Sequence, residues 1–138
     1  MSEREDLNKI TEAIIGAAIE VHKALGPGLL ESAYVACLVY ELIQRGYKAS
    51  TEVPLPLVYK GVMLDSGYRL DIFVNDKVII EVKSVDRLAP IHDAQIISYL
   101  KIANCKVGLL INFNVKMVKD GVKRFVNGNL DYKSLCAG

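Results

Sequence analysis

Two carboxylates and a lysine stand out in the middle of the chain because of their apolar surroundings. Asp71 lies in YRLDIFV, and Glu81 and Lys83 lie in KVIIEVKS. Both segments are rich in Ile, Val and Phe and read as strands. Asn75-Asp76-Lys77 between them suits a hairpin turn. With that turn centred on Asp76, Val74 faces Val78, Asp71 faces Glu81 and Arg69 faces Lys83. Alternate residues share a face of a strand. Leu70, Ile72, Val74, Val78, Ile80 and Val82 then make an apolar side, and Asp71 and Glu81 meet on the other beside Lys83. Like charges set opposite one another destabilise a sheet, so a pair retained there argues for a use. The economical use is to hold a divalent cation.

A second group falls on a downstream helix expected over about Ile91–Ala103. Gln95 and Tyr99 are four residues apart and share a helix face, next to an apolar stripe of Ile96, Ile97, Leu100 and Ala103. His92 sits one turn earlier. This helix begins just after the strand ending in Lys83, and in open α/β sheets sites form beyond the carboxyl ends of strands.

The elements that must position these residues are punctuated by glycine and proline. Helical spacing runs from Glu3 to Leu25, with Ser2 and Glu5 as a capping box, and Gly26-Pro27-Gly28 stops it. A second helix covers about Leu30–Arg45 and ends at Gly46, closing a helical hairpin over residues 3–46. Strands are expected near Ser50–Tyr59, Gly67–Val74 and Val78–Lys83. The crossover helix and a strand in KVGLLINF complete a sheet region over 50–113. VKMVKDGVKRFV reads as a closing hairpin over 115–126 with Asp120-Gly121 at its turn. The order implies one α/β domain, a mixed sheet flanked by helices with a βαβ crossover unit.

Composition bounds the class. The 138 residues suit one domain with a substantial core, and 51% are hydrophobic. No apolar run reaches the roughly 18 residues that span a bilayer, so no membrane association is expected, and the acidic start MSEREDLNK is unlike a signal peptide. Cys37, Cys105 and Cys136 are few and scattered, as reduced packing residues of a cytoplasmic protein are. The same absence of clustered His and Cys disfavours a zinc hydrolase. The net charge of +1 is unevenly spread: three basic and six acidic residues lie up to Glu31, against seven basic and two acidic from Lys101 onward. Lys119, Lys123 and Arg124 in that basic stretch are candidates for phosphate contact, although a solvated lysine-rich face accounts for them equally.

Taken in order, Asp71, Glu81-x-Lys83 and Gln95-x-x-x-Tyr99 resemble the core of the PD-(D/E)XK nucleases, in the variant with a Q-x-x-x-Y motif found in RecB-like exonucleases. Gly28-x-x-Glu31-x-x-Tyr34 further resembles the signature of the small G-x-x-E-x-x-Y proteins of that superfamily. Glu20-Val21-His22, YKGVMLDSGYRLD and GLLINFNV add to the likeness, which runs from about residue 10 to about residue 126. Two departures are visible: Leu70 replaces the proline of the motif's name, and Glu81 stands where RecB-like enzymes usually have Asp. Neither removes a carboxylate.

The resemblance implies a restriction-endonuclease-like fold and a Mg2+- or Mn2+-dependent phosphodiesterase acting on DNA. Asp71, Glu81 and the Val82 carbonyl would ligate the ion, with Glu31 adding an acidic ligand directly or through water. Lys83 would stabilise developing charge or orient the attacking water. Gln95 and Tyr99 would orient the Lys83 neighbourhood or touch the substrate phosphate. His92 would assist Lys83 or bind phosphate, His22 would be a further metal ligand, and Glu52 would stand behind the ligands. The implied partners are nucleic acid and a second copy or larger assembly.

Structural readings stand beside these. Glu31 suits the dipole of a helix first turn, worth about 0.3–1 kcal/mol, Tyr34 suits packing against Leu38, and Glu81 with Lys83 suits an edge strand that resists aggregation. Besides a DNA nuclease, a non-catalytic nucleic-acid-binding or regulatory module and an RNA-cleaving enzyme using the same residues fit the sequence.

Overall fold

The computed structural model describes residues 2–128. Helix α1 (Glu3–Leu25) carries the amphipathic stripe expected of it, capped where the Ser2 side chain accepts the Glu5 N–H. Helix α2 (Glu31–Gln44) returns beside it after the glycine-rich turn. Strands β1 (Ala49–Tyr59), β2 (Val62–Val74) and β3 (Val78–Lys83) form an antiparallel meander. Helix α3 (Pro90–Ala103) then crosses over to β4 (Val107–Asn112), which pairs parallel with β3, and β5 (Val122–Val126) pairs antiparallel with β4. The sheet order is β1-β2-β3-β4-β5.

Central position explains the composition of β3. VIIEVK is flanked on both sides by strands and covered on both faces, and its first five residues are all buried. One face, carrying Ile72, Val74, Val78, Ile80, Val82, Val107, Leu109 and Ile111, packs on α1 and α2 through Ile10, Ile14, Leu38 and Leu42. The other carries Ile79 and Phe73 and packs on α3 through Tyr99 and Leu100. The result is a three-layer helix–sheet–helix domain.

Four expectations require correction. Strand β2 starts at Val62, not near Gly67. A tight turn with Lys60 and Gly61 both at positive φ joins it to β1, extending a two-stranded ribbon beyond the sheet. The ribbon's exposure on both faces erases the alternation that would have signalled it. The hairpin expected over 115–126 does not form. Val118–Gly121 is a 3-10 turn, and Val122–Val126 finds its partner in β4, whose free edge offers a complete ladder. Gly121 is required there: a Cβ would stand 2.2 Å from the Asn112 carbonyl oxygen.

The other two corrections concern β2. Leu70 leaves the face of Ile72 and Val74 and joins the α3 cluster. Arg69 does not face Lys83, because the β2–β3 ladder ends at Ile72/Ile80. Beyond it β2 pairs with β1 alone, Arg69 opposite Pro54. The break in alternation coincides with Glu52, at φ 52°, which the β1–β2 ladder passes over opposite Asp71.

Candidate active site

The ladder between β2 and β3 ends where Asp71 and Glu81 begin, and their carboxylates take over its role. The Asp71 N–H donates to Glu81 Oε2 at 3.0 Å, and the Val82 N–H donates to Asp71 Oδ2 at 2.8 Å. Each acid thus fills the backbone donor beside the other acid, a reciprocal arrangement that fixes both side chains. One oxygen of each is held; the second accepts no hydrogen bond among the described residues.

The electrostatics of this pair are unfavourable. Glu81 is only 4% exposed. Burial first, and the Asp71 charge second, push its carboxyl up to about 8, with Glu31 adding to the effect and the Asp71 N–H and Lys83 opposing it. Burial raises Asp71 as well, with Glu31 and Glu52 adding to the effect and the Val82 N–H and Lys83 opposing it. Four acidic residues from α2, β1, β2 and β3 therefore share one field, and the half-buried Lys83 is the cation that offsets it. Glu31 and Glu52 act at a distance: among the described residues no three His, Cys, Asp or Glu side chains are grouped to hold one ion.

Long-range clamps hold this geometry. Lys83 lies opposite Asn112 in the β3–β4 ladder. The Asn112 amide, 2% exposed, accepts the Val85 N–H at 3.1 Å and donates to the Val85 carbonyl at 2.9 Å, pinning the turn after Lys83. Ser84 Oγ donates to the Leu29 carbonyl at 2.6 Å, tying that turn to the start of α2. Tyr34 serves the same loop and does more than pack against Leu38. Its hydroxyl donates to the Gly26 carbonyl at 2.6 Å and accepts the Leu29 N–H at 3.1 Å, while its ring stacks on Phe113 with centroids 4.5 Å apart. Gly28 supplies φ 97°, which a side chain would resist. The G-x-x-E-x-x-Y spacing is thus a brace that presents Glu31 toward the carboxylate pair.

From the opposite face, α3 contributes Tyr99, which lies within the field of the pair. Burial and then the Glu81 carboxylate raise its phenol, a hydrogen bond with Gln95 opposes them, and Tyr68 and Asp71 add to the rise. Tyr68 touches the Tyr99 ring with centroids 5.7 Å apart. The sequence did not single out Tyr68, Ser84 or Asn112, since nothing local distinguishes them.

The remaining candidates lie apart from this cluster. His22 Nε2 reaches the Phe113 and Val115 carbonyls at 3.2 and 2.8 Å. Both are acceptors, so this nitrogen carries a proton and ties α1 to the chain after β4. His92 Nδ1 accepts the Ala89 N–H at 2.9 Å and caps α3. Lys123 is held by Asp93 at 3.1 Å, whereas Arg124 donates to Thr11 on α1 at 2.9 Å. Adjacent residues of β5, they point to opposite faces of the sheet, and Lys119 is exposed in the 3-10 turn. The three do not form one basic patch. A cavity of about 620 Å³ is also elsewhere, between the start of α1 and Asn104–Lys106.

A meander followed by a parallel crossover, with paired acids and a lysine where the central ladder ends, defines a restriction-endonuclease-like α/β domain. The profile of the PD-(D/E)XK nuclease superfamily matches residues 8–125, and the chain belongs to that superfamily. Comparisons with curated proteins and with solved structures gave no match. No helix among the described residues is long and apolar enough to cross a membrane.

Proposed function

We propose that this chain is a Mg2+- or Mn2+-dependent nuclease of the G-x-x-E-x-x-Y type, hydrolysing phosphodiester bonds in DNA in the cytoplasm. The observation that carries the reading is the Asp71–Glu81 pair, a half-buried and a buried carboxylate locked by backbone donors at a cost that a cation relieves. The donor set fits such an ion. Two carboxylates and the Val82 carbonyl are hard oxygen ligands, and few protein ligands suit a metal that keeps several waters. When bound, a divalent ion there supplies Lewis acidity toward a phosphodiester and its attacking water.

The chain's own residues divide the rest. Asp71 and Glu81 hold the ion site. Lys83, beside them at the end of β3, stabilises negative charge on the phosphoryl oxygens. Glu31 adds to the negative field from α2. Tyr99, in the field of Glu81, and Gln95, one turn away on α3, would touch the substrate phosphate or orient the Lys83 neighbourhood. Lys123 and Arg124 do not join into one basic surface at it, since they are engaged on opposite faces. Turnover by the chain alone is therefore expected to be slow and to rise with a second copy or partner subunit.

The test is cleavage of labelled single-stranded, duplex and branched DNA and of RNA, with Mn2+, Mg2+ or EDTA, run beside Lys83→Ala. Metal-dependent cleavage of DNA that the variant loses is the expected result. Preferred cleavage of RNA would reassign the substrate. No cleavage of any substrate, with Mn2+ still bound, would favour a non-catalytic binding module.

A further inference from the structure

Building on the nuclease reading, we propose that Tyr68 is the base-stacking residue of this site, so that the substrate presents an unpaired nucleotide beside the phosphate to be cut. Strict alternation along β2 would place Arg69 next to Asp71 and turn Tyr68 away. The positive φ of Glu52 opposite Asp71 and the register shift between Pro54 and Pro56 break this alternation. Leu70 joins the α3 cluster and Tyr68 comes against the ring of Tyr99, itself the neighbour of Glu81. A local break in strand geometry thus brings an exposed aromatic ring, on the strand that carries Asp71, onto Tyr99.

Tyr68 is also presented as a binding surface and not as core. It is 53% exposed, whereas Tyr99 behind it is 5% exposed. Their rings meet at 52°, so the contact covers part of Tyr68 and leaves the rest open. Its backbone is fixed on both sides: the Tyr68 N–H donates to Ser66 Oγ at 3.1 Å, and Arg69 donates to the Tyr68 carbonyl at 2.9 Å. An exposed ring on a braced strand is preorganised for stacking.

The charges nearby point the same way. Arg69 is paired with Asp65 at 3.3 Å and Lys123 with Asp93 at 3.1 Å, so these two cations are already engaged within the fold. Stacking supplies affinity in their place, and it is indifferent to sequence because every base has a π-face. Bases within a duplex have both faces covered and must be extruded first. An unpaired strand offers one freely.

The experiment uses a single-stranded DNA oligonucleotide carrying 2-aminopurine, whose fluorescence falls when the base stacks. It is titrated with the full chain in Ca2+, and cleavage is followed separately in Mn2+. Quenching on binding is expected, with the matched duplex binding more weakly. Tyr68→Ala should lose the quenching and weaken binding roughly 5- to 150-fold, the range for one base–aromatic stack. Tyr68→Phe should restore both, and Tyr68→Leu neither, with melting temperature confirming that each variant folds. Unchanged binding by Tyr68→Ala, or cleavage of duplex alone, would overturn the stacking role and leave the nuclease reading intact. Quenching that depends on Tyr68 without any cleavage would support stacking and overturn the nuclease reading. No binding to any oligonucleotide would overturn both.

Discussion

Glu81→Gln tests the electrostatic core of the site. The Glu81 carboxyl is raised from 4.5 to about 8 because burial and then Asp71 oppose its ionisation. Below about 4.5 both the native and the unfolded chain hold the proton, and the stabilising effect of protonation is fully present. Between about 4.5 and about 8 only the native state holds it, so stability falls as pH rises through this window and levels off above it. At about 1.4 kcal/mol per pH unit the window from 4.5 to about 8 amounts to on the order of 5 kcal/mol. Asp71 shifts in the same direction. For a domain of this size each kcal/mol moves the melting temperature by about 3–5 °C. Glutamine keeps an oxygen to accept the Asp71 N–H but has no proton to lose. In EDTA, thermal melts from pH 4.5 to 9 should therefore show the wild type losing roughly 15–25 °C relative to the variant as pH rises. At pH 8, Mn2+ should restore most of that loss in the wild type and little in the variant. At pH 5 it should restore little in either, because the proton competes with the ion. Parallel wild-type and variant curves would refute the reasoning.

Three further perturbations probe the supports. Tyr34→Phe removes the hydroxyl that holds Gly26 and Leu29. It should cost about 1–3 kcal/mol in denaturant melts and weaken Mn2+ binding by calorimetry, as Glu31 loses its brace. Gly121→Ala drives a Cβ to 2.2 Å from the Asn112 carbonyl oxygen and should cost roughly 2–3 kcal/mol. A melting temperature within 2–3 °C of wild type, under about 1 kcal/mol for a domain this size, would show that β5 shifts freely. Neutralising Lys119, Lys123 and Arg124 together should change the slope of log affinity against log salt by only about 1, because Arg124 faces α1 and only Lys123 lies on the α3 side.

Reading the sequence recovered whatever depends on neighbours along the chain. Helices α1 and α2 follow from their apolar stripes and the glycines between them. The Asp71–Glu81 register follows from Asn75 and Asp76, both at positive φ, which fix the turn from which the strands are counted. What escaped depends on partners far away. The Asn112 amide clamps Val85, and Ser84 reaches Leu29 across 55 positions. Tyr34 uses its hydroxyl on a loop that its ring alone would not reveal. β5 was misread because its partner is β4 and not the segment before it. Tyr68 escaped because alternation assumes an unbroken strand, and the break lies in the backbone of Glu52 on the neighbouring strand.

That break and the carboxylate pair have a common origin. A regular ladder would satisfy the N–H groups of Asp71 and Val82 with carbonyls, and the acids could then point to water. Because β2 parts from β3 at Ile72, these two donors need other partners, and the acceptors in reach are the two carboxylates. Satisfying the backbone therefore draws like charges together and out of water. The same parting leaves β2 supported by β1 alone, free to turn Tyr68 toward α3. The carboxylate pair and the exposed Tyr68 ring thus both sit where pairing in the sheet is interrupted. A substitution that restored regular pairing there would be expected to stabilise the fold while removing the site.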